Sequence, residues 1–390
     1  MRIFILGTGA TGSYLAHLLA RQGHQVTCGD RDVERARRFL GKKSRIPVVQ
    51  VNARNLWGIV RAARRTQLLV NASAAVFNEI VLRAALRIRA HYLDLGAHLT
   101  RNPFKAEQFR FDERFRAKNR VALITAGAAP GLTNLLVARA AATMDSVGAV
   151  YIRLYESTES ADPVSQWSAE VSFDEAVSRP RVLRNGRFRF GQRFGEREKF
   201  RFPSPIGETN VVLAAQDEVG TVPHFLALKE MDVKIGGNEI DRLRRWYRQG
   251  KLSRSRGLVA ARFPRTPTPR QVARLIRQGV LQNARFLAAV IVRGVKQEQV
   301  IEARYDAVFP SLYQIRQRGI TLSPIAYATA HMAALFIKHF PRESAGVFPP
   351  GAIPSENRQA ILRDLPSRGI RLTAKVTRKK LPDEDDETEI

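Results

Sequence analysis

An α/β fold is what the sequence predicts, with a doubly wound parallel sheet at the N-terminal end and an α+β second domain. Three observations predict it. The first thirty residues read strand, glycine turn, helix, strand, acid; short apolar runs then alternate with helical patterns to about residue 127; beyond that point strand-like runs and hairpin signals replace the alternation.

The opening unit is the most informative. Ile3 to Leu6 is a short apolar run of the kind that forms a buried parallel strand. It leads into Gly7-Thr8-Gly9-Ala10-Thr11-Gly12, and then into a helix with Leu15, Leu18 and Leu19 on one face. Gln25 to Gly29 reads as the next strand and ends at Asp30. In this G-x-G-x-x-G order the first glycine permits the tight turn and the second lets backbone approach a pyrophosphate. The third lets the helix lie close to the strand. The helix N-terminus faces the phosphates. Asp30 follows Gly12 by 18 residues, where a carboxylate receives ribose hydroxyls. A Rossmann dinucleotide site is therefore expected, with Gly7, Thr8, Gly9, Ala10, Thr11, Gly12 and Asp30 as cofactor contacts. Arg31 is placed to lie against adenine or a phosphate. Asp30 favours NAD because a carboxylate repels a 2′-phosphate, while Arg35, Arg37 and Arg38 keep NADP open.

The elements that follow fit the same plan. A helix from Val33 to Leu40 precedes a third strand over residues 47–51, and Asn52 at its end suits either the adenine edge or a plain turn. A helix near residues 54–65 leads to a strand ending at Asn71. Helix 77–89, strand 91–95, helix 106–118 and strand 121–125 complete the alternation. Ligands in such sheets lie beyond the carboxyl ends of the strands. That marks Asn71, Ala72, Ser73 and Gly96 as cofactor contacts, and the segments Asp94 to His98 and Ala126-Gly127 as places to look for chemistry.

Past residue 127, Pro130 is suited to the first position of a helix running to about Met144. Strands are expected at 149–156, at 181–190 with a hairpin turn at Asn185-Gly186, at 208–215 and at 231–235. Helices are expected at 239–249, 269–292, 305–318 and 324–339. The domains so read are 1–127 for the nucleotide and 128–372 for substrate and dimerisation, the C-terminal part of the latter being free to pack back on the first. Residues 373–390 read as a disordered charged tail.

The 390 residues suffice for two domains, and 44% apolar with 26% charged content is that of a soluble globular chain. No apolar run reaches a membrane span and no signal peptide is apparent, so a cytoplasmic protein is expected. The single cysteine, Cys28, excludes an internal disulfide framework and a cysteine metal cluster. It reads as a buried inert thiol, and no metal is expected. The net charge is +28, with six acids in the last ten residues. Such a field attracts anions generally, but the charges are scattered and lack interleaved aromatics, so no specific nucleic acid is expected.

Taken together, these residues resemble the saccharopine dehydrogenase-like family, which includes saccharopine reductases and lysine 6-dehydrogenases. Its carriers are Gly7 to Gly12, Asp30-Arg31, His91 to Leu95, Gly127 to Asn134, Gly207-Glu208-Thr209, Asp217-Glu218-Val219 with Pro223, and Gly346 to Pro350. The resemblance implies an NAD(P)-dependent oxidoreductase acting on a C–N bond of a small amino acid or amine, with a homodimer by analogy. Saccharopine reductases of this group carry an acid before the Pro-Gly pair, where this chain has Ala129, which moves the expectation toward lysine-dehydrogenase-like members.

Hydride transfer from an amine-bearing carbon needs a positioned nicotinamide, a base for the amine proton and groups that hold the substrate. His98, just past a strand end, and Asp94 beside it are the catalytic candidates, each with an ordinary structural alternative. Pro130, Gly131, Thr133 and Asn134 are candidates for substrate contact from the helix start. Trp167, with Glu170, sits where related proteins approach the substrate. Glu208 and His224 are weaker candidates. A non-catalytic nucleotide sensor of the same fold is the alternative reading.

Overall fold

The computed structural model describes residues 1–166, 168–252, 254–255, 258–259 and 265–380. In chain order the strands of the first domain are β1 (Arg2–Leu6), β2 (Gln25–Asp30), β3 (Val48–Gln50), β4 (Leu68–Asn71), β5 (His91–Asp94) and β6 (Val121–Leu123). Helices α1 (Ala10–Arg21), α2 (Val33–Leu40), α3 (Leu56–Ala63), α4 (Asn78–Arg87) and α5 (Asp112–Arg116) connect them, and α6 (Leu132–Ala141) leads out. The second domain holds β7 (Ser146–Ser160), α7 (Ala169–Val177), β8 (Arg181–Arg184), β9 (Arg187–Phe190), β10 (Glu198–Phe202), β11 (Gly207–Leu213), β12 (Glu230–Gly236) and α8 (Asn238–Arg248). It continues through the short pair β13 (Arg254–Ser255) and β14 (Leu258–Val259), then α9 (Pro269–Arg277), β15 (Leu281–Lys296), β16 (Gln299–Val308) and α10 (Leu312–Gln317). The chain closes with α11 (Pro324–Lys338), β17 (Gly346–Phe348), α12 (Ser355–Asp364) and β18 (Arg371–Lys380).

The first sheet runs β17-β6-β5-β4-β1-β2-β3 and is parallel throughout. Strand order reverses between β1 and β4, and the glycine turn follows β1, so the crevice opens at the switch point where α/β sheets bind ligands. The chain returns to this sheet late: β17 pairs with β6, and α11 packs along α1.

The second sheet runs β10-β11-β12-β7-β15-β16-β18, with β8 and β9 added beside β12. Only β12 and β7 pair in parallel among its described ladders. The β8–β9 turn at Asn185-Gly186 has positive φ at both residues, 50° and 71°, as a tight hairpin requires. One apolar core continues from Ile3, Leu15 and Leu19 through Leu135 and Ala333 to Ile152, Val233 and Val290. It fastens the two sheets across α6 and α11.

Four sequence expectations are corrected. The helix expected over 269–292 ends at Arg277, and Gly279 at φ 70° turns the chain into β15. That strand is buried on both faces between β7 and β16, so its apolar run shows no alternation and mimics a helix. The helix expected over 305–318 begins at Leu312, where Ser311 accepts from the Gln314 N–H, and Tyr305 to Val308 belong to β16. Pro130 lies two residues before the first residue of α6, and Gly131 holds the N-cap. Of the tail expected to be disordered, residues 373–380 belong to β18 on the edge of the second sheet, because pairing with β16 supplies the ladder its own composition does not suggest. Residues 381–390 lie outside the described ones.

Candidate cofactor crevice and active site

The glycine turn is shaped by close contacts on two sides and an opening on the third. Gly7 has φ 97°, and a Cβ there would stand 2.5 Å from the Ser73 nitrogen. A Cβ on Gly12 would stand 2.0 Å from the Gly7 oxygen. Gly9 differs: a Cβ there would meet nothing within 4 Å. The open space therefore lies where a pyrophosphate would approach. Helix α1 begins beside it with no capping side chain and no acid in its first turn, so no side chain competes there for the positive helix end. Elsewhere Asp32 caps α2 and Asn55 caps α3.

Asp30 faces this turn. Its Oδ2 accepts the Thr8 N–H at 2.8 Å and its Oδ1 accepts the Asp32 N–H at 3.1 Å. A carboxylate has further lone pairs for two ribose hydroxyls. Thr8 is buried, with its hydroxyl toward the Gly29 carbonyl, so its contribution is backbone. Ala10 and Thr11 begin the open helix end. Arg31 is exposed next to Asp30, and the exposed Asn52 uses Oδ1 to accept the Arg54 N–H as a turn residue. The residues present fit a dinucleotide. Cys28 is fully buried and burial pushes its thiol up to about 12, as an inert packing residue requires.

A buried polar chain fixes the neighbouring strand ends. Asn71 accepts from the Ser73 N–H and hydroxyl and donates to Asn78. Asn78 in turn donates to the Gly96 carbonyl. Asp94 accepts from the Tyr92 hydroxyl, the Gln108 amide and the Thr125 N–H. Burial raises its carboxyl to about 7, against the pull of those donors. Asp94 is thus enclosed under the strand ends, and the Gln108 amide that donates to it also donates to the Gly96 carbonyl. His98 is similarly engaged: Nδ1 meets Glu107 Oε2 at 3.0 Å and Nε2 meets the Thr100 hydroxyl at 2.8 Å. Both ring nitrogens hold their own loop together.

The second domain reaches this edge through the turn from Asp217 to Thr221. Asp217 Oδ2 accepts the Ala97 N–H at 2.8 Å, directly beside Gly96. Glu218 Oε1 accepts from the Thr133 hydroxyl, and the Thr221 hydroxyl accepts from Asn134. Thr133 and Asn134 are fully buried, and Gly131, at φ 135°, closes tightly on Gly127 after the buried Pro130. Thr133 and Asn134 thus seat the turn, and all four residues are buried. Trp167 lies outside the described residues. His224 is exposed with Nε2 near the Phe104 carbonyl, and Glu208 pairs with Lys199 on the sheet surface.

Asp217 is the group at the domain junction that residue reading did not select as a site. Burial raises its pKa, and Arg181, the Ala97 N–H and His98 oppose that shift. Its signal was the Asp217-Glu218-Val219 segment itself, which carried the resemblance without revealing which acid would meet the sheet edge.

The crevice defines the class: an NAD(P)-binding protein with the fold of a dinucleotide-dependent oxidoreductase. Residues 3–123 match the family model described as saccharopine dehydrogenase NADP binding domain. The whole chain shares its fold with the apo, histidine-tagged saccharopine dehydrogenase (L-Glu forming) from Saccharomyces cerevisiae, at TM-score 0.70 and 10% identity over 96% of this chain and 99% of that one. A probable dehydrogenase from Thermotoga maritima is similar at 11% identity over 96% of this chain and 98% of that one, with TM-score 0.44. The family match covers the nucleotide-binding part, residues 3–123, and the shared fold extends over 96% of the chain. Among the described residues, no helix is long and apolar enough to cross a membrane.

Proposed function

We propose that the protein is an NAD(P)-dependent dehydrogenase or reductase acting on a C–N bond of an amine or amino acid, with NAD preferred. The observation that carries this reading is the meeting of Asp217 with the Gly96-Ala97 strand end beside an open glycine turn. When bound, the nicotinamide supplies the hydride acceptor. The chain supplies everything else. Asp30 and the uncapped end of α1 would hold the dinucleotide, and the chain Asn71–Asn78–Tyr92–Asp94 fixes the neighbouring strand ends. Asp217 takes the proton from the substrate ammonium, so that the nitrogen lone pair can form the C=N bond as hydride leaves its carbon.

A base with a raised pKa suits that task, since it holds a proton more firmly than an ordinary carboxylate. Asp94 and His98 act through loop geometry in this reading. The preference for NAD rests on the charge of Asp30, which opposes a 2′-phosphate. The test is turnover: lysine, saccharopine and diamines screened for NADH and NADPH formation. Flat traces with every substrate, from protein that binds the coenzyme, would favour a nucleotide sensor instead.

A further inference from the structure

Helix α1 leaves the glycine turn and lies along α11, and a cluster of rings joins the two helices. The Tyr327 and His331 ring centroids stand 4.2 Å apart, and Tyr14 stacks on Tyr327 at 6.0 Å. The Tyr14 hydroxyl meets His331 Nε2 at 3.3 Å. Three arginines come to this cluster from three separate elements. Arg21 is the last residue of α1 and bears on the Tyr14 hydroxyl. Arg318, just past α10, donates to the Tyr327 hydroxyl at 3.0 Å. Arg368, in the turn between α12 and β18, supplies the carbonyl that accepts from both Tyr327 and Arg318.

The cluster carries positive charge without a counter-charge. Among the described residues none of the three guanidiniums forms an ion pair, and no carboxylate acts on Tyr327 or His331. The carbonyl ends of α1 and α10 offset part of the charge on Arg21 and Arg318, but they do not account for three guanidiniums drawn to one place. Two nitrogens there, His331 Nδ1 and Arg368 Nε, are buried without a hydrogen-bond partner, and His331 is only 5% exposed. Burial, and then Arg368, Arg318 and Arg21, push the His331 imidazole down to about 3. That depression reflects how closely the three charges gather. The cluster is open to an incoming group: Arg21 and Arg318 are exposed, and Tyr14 and Arg368 are half-buried.

We propose that Arg21, Arg318 and Arg368, set over the Tyr14–Tyr327–His331 cluster, form a binding site for a phosphate group, separate from the coenzyme crevice. The phosphate is inorganic phosphate or the phosphomonoester of a small metabolite. Guanidinium groups match phosphate oxygens with paired N–H donors and stay charged throughout the working pH range. A phosphate also brings up to two negative charges to a place that holds three positive ones, where a carboxylate brings one. Bound there, it braces α1 against α10, α11 and the turn before β18. The inference does not depend on the amine reading.

The experiment is calorimetry on the full chain, with and without saturating NADH, using inorganic phosphate, glycerol 3-phosphate and acetate at matched ionic strength. The expected result is a single phosphate group bound per chain, unaffected by NADH, with no measurable acetate binding. The tighter of the two phosphate ligands identifies the source. Arg318→Gln is expected to weaken phosphate at least about tenfold with NADH affinity unchanged. If loss of the Arg318–Tyr327 hydrogen bond unfolds the protein, Arg21→Gln removes a charge at an exposed position and is expected to weaken binding likewise. Arg189→Gln, at an exposed arginine on β9, is expected to bind phosphate as wild type does. Phosphate and acetate bound alike, equal phosphate affinity in wild type and the Arg318 or Arg21 variant, or displacement of phosphate by NADH would overturn the proposal.

Discussion

The Thr8 N–H donates to Asp30 Oδ2 at 2.8 Å, so the acid that ends β2 also holds the glycine turn that follows β1. Asp30→Ala removes the turn's anchor and the ribose acceptor together. NADH affinity is expected to fall about 10- to 100-fold, the range of a lost charge-assisted hydrogen bond. NADPH affinity is expected to fall less, because the charge opposing a 2′-phosphate is gone as well. Fluorescence titration with both coenzymes checks this, and equal losses would reduce Asp30 to a structural anchor.

Gly9 and Gly12 of the turn are expected to separate when substituted. A Cβ at Gly9 meets nothing, and its φ of −82° suits any residue. Gly9→Val is therefore expected to leave the melting temperature within about 2 °C of wild type while weakening NADH by more than about tenfold. Gly12→Ala forces Cβ against the Gly7 carbonyl. It is expected to destabilise the fold itself by about 3 kcal/mol. Thermal melts with and without NADH distinguish the two.

Glu218 gives a pH signature. It is fully buried, Oε1 accepts from Thr133 and Oε2 has no partner. Burial raises its carboxyl from 4.5 to about 7. The folded state therefore favours the protonated form. The stability from that preference is complete below pH 4.5 and is lost as pH rises through about 7. Glu218→Gln keeps an acceptor for Thr133 and cannot ionise. Its stability relative to wild type is expected to be near zero at low pH and to grow to at most about 3 kcal/mol above the folded pKa. Denaturant melts across this range check the sign.

The glycine turn, Asp30 and the first six strands were legible because each is specified locally, by residue type at fixed spacing. The strand β15 was not, since a central strand buried on both faces has no period-2 pattern to read. Edge strand β18 was hidden by a composition that pairing with β16 overrides. The site was legible by half. His98 and Asp94 stood out as titratable groups at a strand end, yet their hydrogen bonds face inward. Asp217 lies 120 residues from the Ala97 N–H it accepts, and Glu218 lies 85 residues from the Thr133 hydroxyl that donates to it. Such proximities are made by the fold and leave no spacing in the chain.

Asp217 is the proposed base for the amine proton, and NADH formation from amines by wild type and Asp217→Asn tests that role most directly. Wild type is expected to form NADH, with a rate that rises with pH as Asp217 ionises above the ordinary carboxylate range. Asp217→Asn is expected to bind NADH as tightly and to lose about 10²- to 10⁴-fold in kcat together with that pH dependence. A variant as fast as wild type with the same pH profile, or a wild type that binds NAD and oxidises no amine, would contradict it.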